Sequence, residues 1–143
     1  MRVMGLLKAT KDTEAGVMPT LEEMQKMGAF MEEVTKAGVL LATDGLKPSS
    51  EGKRLSLSGG KTTVTDGPFS ETKELIAGWA LFEVKSMDEA VEWTKRFLAV
   101  LGEGVCELRP IYEASDFPTD VFPPELASRE EAMRAEMEKN STR

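Results

Sequence analysis

Two periodicities alternate along this chain: short runs that are apolar on both sides, and longer stretches in which an apolar residue returns every three or four positions. Arg2 to Ala9 is short and nearly all apolar, which reads as a strand buried on both faces. Residues 10–19 are polar, contain Gly16 and Pro19, and read as a loop. Thr20 opens a helix, because Glu23 follows at the capping-box spacing that satisfies two orphan backbone donors. Leu21, Met24, Met27, Met31 and Val34 recur at helical spacing through Lys36, and Gly38 supplies the stop. Methionines in that stripe read as core filler. Val39 to Thr43 forms a second strand. Leu55–Ser58 and Thr62–Thr65 flank Gly59-Gly60, the signal for a tight hairpin. Ile76 to Val84 is the third main strand. Ser86, with Glu89 three residues on, opens a second helix whose stripe is Ala90, Trp93, Thr94, Phe97 and Leu101, closed by Gly102 and Gly104. Val105 to Tyr112 alternates, and Pro110 cannot donate to a ladder, so this strand belongs at an edge or carries a bulge.

The order strand, helix, strand, hairpin, strand, helix, strand is that of an α+β fold, a ferredoxin-like split βαβ with an inserted β-hairpin. Its first and third main strands are central, and those two are the ones apolar on both faces. Ile76, Gly78, Ala80, Phe82 and Val84 fall on one side of the third; Ala77, Trp79 and Leu81 fall on the other. Both helices of such a fold cover one face. The other face, with Val3 or Met4, Trp79 and Leu81, predicts an apolar patch larger than soluble monomers expose. Two copies packed sheet against sheet cover it, giving a homodimer; the alternative is that the C-terminal helix covers it. Residues 1–113 make the folded domain. Residues 114–143 are an acidic extension, with eight Asp/Glu against four Lys/Arg from residue 113 on. Glu125 to Lys139 has helical composition with a thin stripe of Leu126, Met133 and Met137, and disorder is expected after Asn140.

Charge and composition narrow the function. A net charge of −7 without a basic cluster argues against direct nucleic-acid contact. No apolar run approaches the roughly 18 residues of a membrane span. An opening strand unlike a signal peptide, together with the single Cys106, points to the cytoplasm. The chain has no histidine, so Ser-His and Cys-His relays and the usual zinc sites cannot be built. Any acid–base work falls to Asp, Glu, Lys, Tyr or the cysteine.

The run Thr65-Asp66-Gly67-Pro68-Phe69-Ser70-Glu71-Thr72-Lys73-Glu74 resembles the signature of the DGPF-domain proteins, a branch of the YCII-related (YciI-like) family. Gly38-Val39-Leu40-Leu41, Gly45-Leu46-Lys47-Pro48, Ile76-Ala77-Gly78-Trp79 and Glu107-Leu108-Arg109-Pro110 match in kind and order, so the resemblance covers residues 1–113. It implies a dimeric α/β barrel fold in a bacterial protein and little about activity; independently, no cofactor is expected. For some relatives it suggests association with an extracytoplasmic-function sigma factor. The His-Asp pair proposed as catalytic in YciI-like relatives cannot be carried over, since this chain has no histidine and Asp66 is the only member of such a pair it could supply. Three readings follow: a small-molecule-binding or regulatory module; a cofactor-free enzyme using Asp66 as acid or base in a dry inter-sheet pocket; or a structural dimer without a ligand. Asp66 is better suited to capping its own Asp-Gly-Pro turn than to catalysis. Phe69, Glu71, Lys73, Trp79, Arg109 and Tyr112 are the candidate ligand contacts, with Trp79 and Arg109 expected beside Asp66 in one cavity. Carboxylates at 66, 71 and 74 suit Mg²⁺ or Ca²⁺ by charge, but their spacing fits no known loop, and no metal site is assigned.

Overall fold

The computed structural model describes residues 1–142, which form two compact units, one of residues 1–111 and one that begins at Tyr112. The first unit runs β1 (Arg2–Lys8), α1 (Lys11–Glu14), α2 (Leu21–Lys36), β2 (Leu40–Gly45), β3 (Lys53–Ser58), β4 (Lys61–Asp66), β5 (Ile76–Glu83), α3 (Met87–Leu101) and β6 (Cys106–Pro110). Strands β2, β5, β1 and β6 form one antiparallel sheet in that order, and β3 with β4 forms a separate ribbon. This is the ferredoxin-like split βαβ with an inserted hairpin. The two doubly apolar strands, β1 and β5, are central, and Pro110 lies on the edge strand β6, where a missing donor is harmless.

Local chemistry explains the boundaries. At α2 the capping box closes: Glu23 N donates to Thr20 Oγ1 at 3.1 Å, and Thr20 N donates to the Glu23 carboxylate at 3.4 Å. At α3 only half of the expected box forms. Glu89 N donates to Ser86 Oγ at 3.2 Å, but the Glu89 carboxylate accepts from Lys85 N at 2.7 Å. The stretch 10–19, read as plain loop, contains the single turn α1. Thr10 and Thr13 cap it reciprocally, with Thr13 N donating to Thr10 Oγ1 and Thr10 N to Thr13 Oγ1, so a hydroxyl takes the role usually given to Glu. Gly59 and Gly60 both have positive φ, +56° and +77°, which a two-residue hairpin loop requires.

Strand pairing assigns the faces. Val3 opposes Phe82 and Gly5 opposes Ala80, while Met4 opposes Leu81 and Leu6 opposes Trp79. Val3, Phe82 and Val84 join Phe30 and Val34 of α2, Val39, and Ala90 of α3 in one buried cluster, so both helices cover the same face. Phe30 meets Trp93 and Phe97 with ring centroids 6.4 Å away in each case. On the helix-free face Met4, Leu6, Trp79 and Leu81 are half-buried.

In the second unit a short 3-10 turn at Ala114–Asp116 precedes α4 (Pro124–Ser141), whose first turn holds Pro124, where a missing amide proton is tolerated. Tyr112, Phe117 and Phe122 stack in series at 5.0 and 5.8 Å. The helix thus continues one residue past Asn140, where disorder was expected; Arg143 lies outside the described residues. No helix is long and apolar enough to cross a membrane among those residues.

Candidate functional site

Two features stand out in the first unit, and they are built from different residues. One is the signature loop. Gly67 N donates to Gly52 O at 3.0 Å and Phe69 N donates to Ser49 Oγ at 3.1 Å, seating the loop on the 3-10 turn Ser49–Glu51. The Gly67-Pro68 bond is cis. Only glycine fits at 67, since a Cβ there would sit 1.7 Å from the Ser49 carbonyl oxygen. Glu14, at the end of α1, holds the seat: Ser49 N donates to its carboxylate at 2.8 Å and Ser49 Oγ donates to its other oxygen. The Ser49 hydroxyl, then its amide, pull the Glu14 carboxyl below its ordinary range, because both bonds favour the charged form. Glu14 and Ser49 escaped the sequence reading because they are 35 positions apart and no local pattern joins them.

Asp66 ends β4 at solvent. Its carboxylate accepts from Lys53 Nζ at 2.6 Å, across the ribbon, and its side chain is 75% exposed. Phe69 is half-buried, with the Arg54 guanidinium 4.1 Å above its ring centroid. Glu71 and Lys73 are exposed on the turn before β5. Arg109 bonds Glu107 at 3.3 Å on the edge strand. Tyr112 belongs to the second unit and stacks on Phe117. Thus Asp66, Trp79 and Arg109, expected around one cavity, do not meet in one.

The second feature is a cavity of about 470 Å³ between α2, α3 and the sheet. Its floor is Gly5, Gly45, Gly78 and Ala80; Gly45 and Gly78 are direct cross-strand partners. Where a central strand would send large side chains upward, hydrogen atoms and a methyl group leave space. The roof is Met24, Met27, Met31 and Phe30 from α2, with Trp93, Thr94, Phe97, Val100 and Leu101 from α3. Leu7 and Cys106 line the sides, and the solvent-exposed Thr43 stands at the rim. Trp79 borders the cavity too, although strand alternation turns its side chain to the helix-free face, opposite Leu6. Burial raises the Cys106 thiol above its ordinary range, which keeps it protonated and a poor nucleophile. Among the described residues no group of three or more Cys, Asp or Glu converges as metal ligands do. The methionine stripe read as filler does pack against the core at Met27 and Met31, and with Met24 it also walls this cavity. The signal was the run Ala77-Gly78 and Ala80 in a strand that should be bulky.

The family model of the YCII-related domain matches residues 1–115. The chain belongs to the YCII-related family. An uncharacterized protein of Rhizobium meliloti (strain 1021) is 33% identical to it over 99 residues, covering 67% of this chain and 80% of that protein. Among solved structures the chain is similar to 5-chloro-2-hydroxyhydroquinone dehydrochlorinase from Burkholderia phenoliruptrix AC1100, in complex with 2,5-dihydroxybenzoquinone. That likeness has a TM-score of 0.46 at 10% identity, over 82% of this chain and 100% of that one, a distance at which chemistry does not transfer. Both the signature loop and the cavity lie inside the YCII-related region, and α4 lies beyond it.

Proposed function

We propose that this YCII-related protein is a small-molecule-binding module that holds its ligand between the two long helices and the sheet and works as a homodimer. The observation that carries the reading is the cavity. Its volume of about 470 Å³ falls in the range of small-molecule sites, roughly 300–1,000 Å³, and it shares their character, apolar walls with a few polar atoms. A binding role fits better than catalysis at Asp66, because that carboxylate faces solvent beside Lys53, and a general base near neutral pH needs desolvation. The homodimer rests on the apolar helix-free face of Met4, Leu6, Trp79 and Leu81, which a second copy covers. Thermal denaturation across a panel of metabolites and apolar small molecules tests the binding role. Ligands that raise the melting temperature of the native protein and leave a cavity-filled Gly78→Leu variant unmoved support it. An identical response from both proteins locates binding elsewhere and removes the proposal.

A further inference from the structure

Resting on that binding role, we infer that the cavity selects a neutral, largely apolar molecule bearing a hydrogen-bond donor, such as a phenol or an alcohol, and rejects carboxylates and phosphates. The reason is the inventory of what the walls offer. Of the charged residues that border the cavity, Glu23 and Asp44 are both acidic, and no Lys or Arg joins them among the described residues. Asp44 opposes Trp79 in the ladder, so its carboxylate lies on the far face, leaving Glu23 at the N-terminal end of α2. An anion entering here would shed its water against sulfur, aromatic carbon and glycine with no counter-charge, a penalty that neutral molecules avoid.

The polar atoms point the same way. Thr94 is 9% exposed, and its hydroxyl proton is committed to Ala90 O at 2.7 Å. The Thr43 hydroxyl proton is likewise committed to Trp79 O at 2.8 Å. A carbonyl can only accept, so in both threonines the proton is used and lone pairs remain. The protonated Cys106 thiol is a weak donor. Apart from that weak thiol donor, the site presents acceptors, which pair with O–H or N–H and offer a carboxylate no strong partner.

Isothermal titration calorimetry of the full-length protein with three size-matched probes tests this: 2-naphthol, 2-methoxynaphthalene and 2-naphthoate. The expected order is 2-naphthol first, with the other two weaker by about tenfold or more, the scale of one buried hydrogen bond or an uncompensated charge. Thr94→Val and Thr43→Val remove the acceptors, and at least one of them is expected to narrow the gap between naphthol and its methyl ether. Naphthoate binding as tightly as naphthol, or a gap unchanged in both variants, overturns the inference while leaving the cavity as a binding site. If no probe binds the native protein, or all bind Gly78→Leu unchanged, the binding role falls and this inference with it.

Discussion

Gly78→Leu is a severe question to put to this fold, because a leucine in the floor of a central strand ordinarily wrecks packing. Here the geometry argues the opposite. A Cβ at 78 would meet Asp44 O at 3.4 Å and the Gly45 Cα at 3.8 Å, both ordinary contacts, and the rest of the side chain enters the cavity. At ~0.8 kcal/mol per buried carbon group, a fully enclosed leucine side chain contributes about 3 kcal/mol. The cavity opens to solvent beside Met24, which is 59% exposed, so about half of that is the better figure. The rotamer entropy lost, ~0.5–1 kcal/mol, is offset by the backbone entropy that glycine no longer surrenders. The expected net effect is a gain of about 1.5 kcal/mol, or ~5 °C in melting temperature for a chain of this size. Circular dichroism melts of native and variant protein at equal concentration measure it. A variant that melts lower with an intact far-ultraviolet spectrum refutes the reasoning, since it means the space above Gly78 is not open to a side chain.

Other expectations concern separate parts of the molecule. Val34→Ala, at a site only 2% exposed, should lose about 2–3 kcal/mol in urea unfolding, from transfer plus cavity terms. Gly67→Ala forces the signature loop off the Ser49 carbonyl and should lose about 2 kcal/mol, with faster amide exchange at Phe69; unchanged exchange would mean the loop is not seated there. The Glu14 carboxyl, lowered by its bonds from Ser49, stabilises the fold above its ordinary value of 4.5, and that contribution disappears as pH falls through the lower folded value; carbon-detected titration should show Glu14 protonating at lower pH than that ordinary value, and Ser49→Ala, which removes the hydroxyl but keeps the amide, should bring it part of the way back. Leu81→Arg buries a charge in the proposed dimer face, so sedimentation should show lone subunits where the native protein gives dimers; native protein sedimenting as a monomer would end the dimer proposal.

Much of the frame was legible before any coordinates. Thr20 and Glu23 announced a helix start, Gly59-Gly60 a tight hairpin, Pro110 an edge, and the apolar character of β1 and β5 their central places. These signals are local: each depends on the dihedral or hydrogen-bonding habit of a few neighbouring residues. The candidate site was legible only in fragments. The signature loop was visible as sequence, but its anchor was not, because α2 and β2 lie between Glu14 and Ser49 and only the tertiary fold brings the two together. Trp79 was expected to line a cavity between sheets, whereas the cavity found lies on the side of the helices and the Trp79 side chain faces away from it.

What the sequence determined by itself was the order of elements and the alternation of faces, since both follow from the periods of strand and helix. What only the tertiary structure decided was where volume is missing. A glycine in a strand is silent about space until its partner across the ladder is also glycine and the helix above lines the gap with methionines. Gly45, Gly78 and Met24 lie far apart in the chain, and a void is a property of their juxtaposition, which no single stretch encodes.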